Sequence, residues 1–178
     1  LVTHRFAFET APDAYKVLFE DKSALGIVLQ YDHAVAPRHT QRIALKAAPA
    51  TATTGKGVTA FLGAGNYASR VLIPAFKSAG AELHTIVSAG GTSSVVHGNR
   101  MGFANASSDS TAVIADPDVD TVVIATQHNT HAALTVAALH AGKHVFVEKP
   151  LVMEREGLAE VESAYAQANA QLMVGFNR

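Results

Sequence analysis

From residue 57 to the end, the chain alternates short, continuously apolar runs with longer stretches of helical periodicity. The apolar runs predict strands at 58–62, 82–88, 103–106, 121–126, 144–148 and 172–176. Helical spacing predicts helices at 67–78, 92–101, 111–115, 130–141 and 154–169. Strand cores such as Val122-Val123-Ile124 and Val145-Phe146-Val147 lack the alternation of a half-exposed sheet and suit strands covered on both faces. With right-handed crossovers, this order predicts an α/β fold: a doubly wound parallel sheet of six strands, a Rossmann domain. Thr130 is placed to cap the fourth helix and Gly142 to end it. Leu158, Val161, Tyr165 and Ala168 form a core-facing stripe on the fifth. Pro74 lies inside the first helix, where it cannot donate to the Arg70 carbonyl and should kink the helix.

The first 31 residues read differently, as a turn, a helix at 12–20 and a strand at 25–31. Ala14, Val17 and Leu18 share one helical face. This short helix-strand remnant is too small to fold alone. Residues 32–56 contain Pro37, Pro49, Thr51, Thr53, Thr54 and Gly55 and few large apolar residues, a linker composition; only 43–45 offers a weak strand. The expected organisation is therefore a remnant at 1–31, a linker at 32–56 and a dinucleotide-binding domain at 57–178. The chain opens on Leu1 rather than Met and stops directly after a strand, as expected of a fragment of a longer protein.

Composition narrows the function. The 178 residues are 48% hydrophobic and 16% charged, those of a globular protein. A formal charge of -1 gives no electrostatic case for nucleic acid or an anionic membrane. No apolar run approaches the roughly 20 residues of a membrane helix, and the charged N-terminus is unlike a signal peptide. A cytoplasmic location is the default expectation. The absence of cysteine excludes disulfides and thiolate zinc sites.

The chemistry concentrates where strands end. After the first strand comes Gly63-Ala64-Gly65-Asn66-Tyr67-Ala68. Gly63 permits a sharp turn, Gly65 a close approach to a pyrophosphate, and Ala68 close packing of the helix that follows. The N–H groups of Asn66 to Ala68 and the helix dipole favour phosphates. An acid selecting the NAD ribose belongs about 20 residues later, where the chain has Ser88-Ala89-Gly90-Gly91. No carboxylate there repels a 2′-phosphate, and no arginine rewards one unless Arg70 or Arg100 reaches in. The cofactor reading is NAD or NADP.

Thr126-Gln127-His128 and Glu148-Lys149-Pro150 end later strands, on the edge where open parallel sheets bind ligands. A lysine beside nicotinamide and a substrate hydroxyl can bond the oxygen and shuttle its proton, so Lys149 is the candidate catalytic residue, with Glu148 able to orient it. His128 and His131 are three apart on a helix start but lack a third ligand at metal spacing. No metal is expected, and His131 is read beside the nicotinamide or substrate, as a second candidate catalytic residue supporting Lys149.

At these residues the chain resembles the Gfo/Idh/MocA oxidoreductases. The resemblance covers about 57–178 and includes the glycine turn, Ile124-Ala125-Thr126 with His131, Ala138 to Val145, Glu148-Lys149-Pro150 and the closing Gly175-Phe176-Asn177-Arg178; Gln127 stands where the family usually has proline. The resemblance implies that Lys149 is catalytic, that Gly63, Gly65 and Ala68 line the pyrophosphate, and that Ser88, Thr126 and Glu148 contact the cofactor. It implies hydride transfer between nicotinamide and a secondary alcohol or ketone of a small-molecule substrate such as a sugar or cyclitol, and a downstream substrate domain. Homo-oligomerisation is compatible with it. A redox-assisted lyase or glycosidase, or a non-catalytic dinucleotide-binding module, stays open. Residues 1–31, from Leu1-Val2-Thr3-His4-Arg5-Phe6 to Leu25-Gly26-Ile27-Val28-Leu29, resemble the carboxyl-terminal tail of medium-chain, zinc-type alcohol dehydrogenases. That implies an upstream module of that kind.

Overall fold

The computed structural model describes residues 1–31, 41–46 and 57–176. It contains two compact units, Leu1–His39 and Thr40–Arg178. In the first, β1 (His4–Ala7) leads through a 3-10 turn into α1 (Ala11–Glu20), and β2 (Ile27–Gln30) returns parallel to β1. The expected opening turn is thus a strand: four residues are too few to show a period. Pro12 sits in the first turn of α1, where its missing N–H is harmless. Of the face read on α1, Ala14 is buried but Leu18 is 56% exposed.

The second unit is built on a seven-stranded sheet in the order β3-β6-β5-β4-β7-β8-β9. The strands are β3 (Arg42–Ala44), β4 (Val58–Leu62), β5 (Glu82–Val87), β6 (Asn105–Ser107), β7 (Thr121–Ile124), β8 (His144–Glu148) and β9 (Leu172–Gly175). From β6 to β9 every neighbouring pair is parallel. These are the six expected strands in Rossmann order. The addition is β3, which runs antiparallel along β6, with Ile43 opposite Ala106. It comes from the stretch read as linker; within that stretch, 32–40 and 47–56 lie outside the described residues. Backbone bonds Leu45 N to Ala104 O (2.8 Å) and Ser108 N to Gln41 O (2.9 Å) extend the pairing, and Arg42 meets the buried Asp116 at 2.7 Å.

Helices cover both faces. A π turn (Ala68–Leu72) runs into α2 (Ile73–Ser78), followed by α3 (Thr92–Met101), α4 (Ser110–Ile114), α5 (His131–His140) and α6 (Arg155–Gln167). Strand alternation divides the core: Ala60, Leu62, Val122 and Ile124 pack with Leu139 and Ala164 on one side. Phe61 and Val123 pack with Ile73, Ile86 and Phe103 on the other. Next to Pro74, where a kink was expected, the helix changes pitch. With no N–H at Pro74, the ladder one residue earlier closes over five positions, Ile73 N–H to Ala68 O. Gly142 ends α5 in the left-handed region (φ 71), with Lys143 N bonded to Ala138 O and Gly142 N to Leu139 O, both 2.9 Å. Thr130 does not cap α5 through its side chain; its hydroxyl donates to Gln127 O at 2.7 Å. On α6 the buried residues are Val161 and Ala164, while Leu158 and Tyr165 flank them exposed; the helix turns its stripe by one position. No helix among the described residues is long and apolar enough to cross a membrane.

Candidate active site

Pairing register brings the chemistry together. Leu62 of β4 lies opposite Ile124 of β7, and Ile124 opposite Val147 of β8. The glycine turn, Thr126 and Glu148-Lys149 therefore leave three adjacent strands at one carboxyl edge, where the strand order reverses direction. A cleft of ≈ 390 Å³ opens there. Gly65, Asn66, Tyr67 and Ala68 form one wall, and Thr126, His128, His131, Glu148 and Lys149 the other, with Ala125 between them. Nine of the candidate site residues converge on it; Ala125 entered only as part of a motif and was given no role, because alanine carries no chemical signal.

Gly63, Ser88 and Gln127 do not line this cleft. Gly63 has φ +108, and a Cβ on it would stand 2.2 Å from the Ala125 carbonyl oxygen. The neighbouring strand's backbone therefore occupies its missing side chain's place. A Cβ on Gly65 would meet nothing within 4 Å, so that glycine leaves bare backbone on the cleft. The helix beyond it makes its first bond from Ser69 N to Gly65 O, and the first N–H groups of such a helix have no intrahelical acceptor. Ser88 Oγ accepts the Ser94 N–H at 3.0 Å, securing the start of α3. Gln127 is exposed, and its backbone carbonyl accepts from the Thr130 hydroxyl.

Lys149 is exposed on the cleft wall, whereas Glu148 is buried at 9% exposure. They make no ion pair with each other or with any other described residue. The expected orienting contact is thus not formed among the described residues, although both residues line the cleft. Glu148 instead lies over β9; a Cβ on its pairing partner Gly175 would stand 2.8 Å from Glu148 Oε1.

His131 is 1% exposed. Its Nδ1 is 2.8 Å from Pro150 O and its Nε2 3.2 Å from Thr126 O. Carbonyl oxygens only accept, so the ring nitrogen that carries the proton donates to its partner. The ring bridges the loops after β7 and β8 and also lines the cleft. The His128 ring packs edge-on against it, centroids 5.5 Å apart, and the Thr126 and Thr130 hydroxyls share a 2.7 Å hydrogen bond.

At the opposite edge of the sheet lies Lys143, to which the reading of the motifs assigned no role. This lysine is buried and donates to Asp116 O at 2.8 Å and Val119 O at 2.7 Å, tying the turn before β8 to the loop before β7. Beside it, burial raises the Asp116 carboxyl, but the Asp118 N–H, Arg42 and His84 together hold it below the ordinary carboxylate value. Burial lowers the His84 imidazole against the opposing pull of Asp116.

Residues 58–176 match the family model GFO_IDH_MocA, described as an oxidoreductase family with an NAD-binding Rossmann fold. The chain belongs to the Gfo/Idh/MocA oxidoreductase family. Among curated relatives, levoglucosan dehydrogenase of Pseudarthrobacter phenanthrenivorans is 42% identical over 44% of this chain and 20% of its own length. Myo-inositol 2-dehydrogenase of Thermotoga maritima is 37% identical over 44% of the chain and 24% of its own. A solved 3-ketoreductase of Actinomadura kijaniata, KijD10, in complex with NADP and TDP-benzene, superposes with a TM-score of 0.63 at 26% identity. That match covers 67% of this chain and 37% of the reductase. The chain thus spans 20% to 33% of the length of the first curated relatives it matches. For a Gfo/Idh/MocA chain, an open backbone turn beside an uncommitted lysine and carboxylate fits an NAD or NADP cofactor.

Proposed function

We propose that this chain is the cofactor-binding portion of an NAD(P)-dependent dehydrogenase acting on a secondary alcohol or ketone of a sugar, cyclitol or related metabolite. The observation that carries the reading is a Lys149 ammonium without a partner among the described residues, on the same cleft as the Gly65 turn. Gly65 to Ala68 hold the pyrophosphate through backbone N–H groups. Thr126, His128 and Glu148 shape the far wall, with Glu148 available to accept a hydrogen bond from a bound hydroxyl or amide. A nicotinamide supplies hydride transfer. Lys149 binds the substrate oxygen and carries its proton, and His131 holds the Lys149 loop by its bond to Pro150. The levoglucosan and inositol relatives support the substrate class, which a further domain of the complete protein would select.

Residues 1–31 are proposed as the end of an upstream module of the zinc-type alcohol dehydrogenase kind. Supporting this, the first unit is β-α-β, and Tyr15, Leu18, Phe19 and Leu25 remain largely exposed, as in a piece of a larger core.

Lys149→Met in the protein carrying its substrate portion should lower kcat by about 10²–10⁴-fold and leave NADH affinity within twofold. Turnover equal to the parent would remove Lys149 from the chemistry.

A further inference from the structure

A second cavity, of ≈ 500 Å³, lies between the helix after Gly65 and α3, and it shares Asn66 with the active-site cleft. Ser69, Arg70 and Pro74 line it from one helix, His97 and Arg100 from the other. No carboxylate lines it, and neither arginine has an ion-pair partner among the described residues. His97 Nδ1 is buried with no hydrogen-bond partner there, an arrangement that costs stability unless something supplies a partner. Two guanidinium groups on one cavity repel each other, and their forked donors match the oxygens of a phosphate.

We propose that this cavity binds a phosphate monoester, with Arg70 and Arg100 supplying the charge and Ser69 and His97 further polar contacts. The group can come from two sources. One is the phosphate on the adenosine ribose of NADP held in the adjoining cleft, which rests on the dinucleotide reading above; the other is a separate phosphorylated compound, which does not. In the first case the site sets cofactor preference, a role left to fill by a β5 terminus whose Ser88 is engaged with α3.

The test uses the purified 178-residue chain and its Arg70→Gln/Arg100→Gln variant. NADH and NADPH are titrated by cofactor fluorescence, and orthophosphate by calorimetry with and without NADH. Both arginines are exposed, so the variant should keep the urea midpoint of the parent. A tenfold or greater loss of NADPH affinity, with NADH unchanged, supports the site and assigns it to the cofactor. Loss of saturable orthophosphate binding with both cofactors unchanged supports it as a separate site. Parallel weakening of NADH and NADPH, or a variant indistinguishable from the parent toward all three ligands, overturns the proposal. If the parent binds neither cofactor, the dinucleotide reading fails, and the orthophosphate arm alone decides the cavity.

Discussion

Gly63 and Gly65 are the same residue two positions apart, yet different neighbours constrain them. At Gly63 the constraint is internal, a positive φ and the Ala125 carbonyl; at Gly65 the side of the missing Cβ is open. Gly63→Ala should therefore destabilise the fold by about 2–4 kcal/mol through strain and displacement of β7. Gly65→Ala should change stability by less than about 1 kcal/mol but reduce NADH affinity tenfold or more. Urea unfolding and cofactor titration of the two variants separate these effects, and similar losses of stability would refute the distinction. The glycine motif was readable from spacing alone, but this division of labour was not, because it depends on which atom of a neighbouring strand stands beside each Cα. The same holds for His131: its type and position invited a catalytic role, and only the positions of the Thr126 and Pro150 carbonyls make it a bridge.

At the scale of elements, the edge strand β3 and the loop before β7 form an electrostatic unit in which Arg42, Asp116 and His84 meet. Both titrating groups are held below their ordinary values in the folded chain. The unfolded chain therefore takes up protons first as pH falls, and each group's contribution is present above its unfolded value and lost through its folded one. Stability should decline on acidification first below the ordinary histidine value of 6.5 and again below the ordinary aspartate value of 3.8. Asp116→Asn should abolish the lower step and keep the upper one, since removing the carboxylate removes a pull that raises His84. Urea midpoints from pH 3 to 8 would show this; an unchanged lower step in the variant would count against it. The long, regular elements of this unit were legible from periodicity. Strand β3 showed only faintly, because three residues carry no period and its stability comes from the free edge of β6 and the Arg42–Asp116 pair.

For the whole molecule, the division at His39/Thr40 predicts how the chain tolerates shortening. A chain beginning at Thr40 should retain NADH affinity within twofold, because every residue of the cleft belongs to the larger unit. A chain beginning at Gly57 loses β3 and the Arg42–Asp116 contact and should unfold at lower urea, while keeping the cleft. Equal stability of the two shortened chains would show that β3 adds nothing to the sheet. By itself the sequence determined the parallel α/β architecture, the dinucleotide turn, the family and the lysine at the strand edge. The family was carried by the resemblance of its motifs; the architecture and the strand-edge placement are written in local period and spacing, because alternate residues must enter opposite cores and consecutive strand ends must share an edge. Only the tertiary structure decided that Glu148 and Lys149 form no ion pair with each other, that His131 and Lys143 tie loops together, and that Arg70 and Arg100 face one cavity. Each of these depends on atoms far apart in the chain, whose meeting is set by strand register and helix packing rather than by any neighbouring residue.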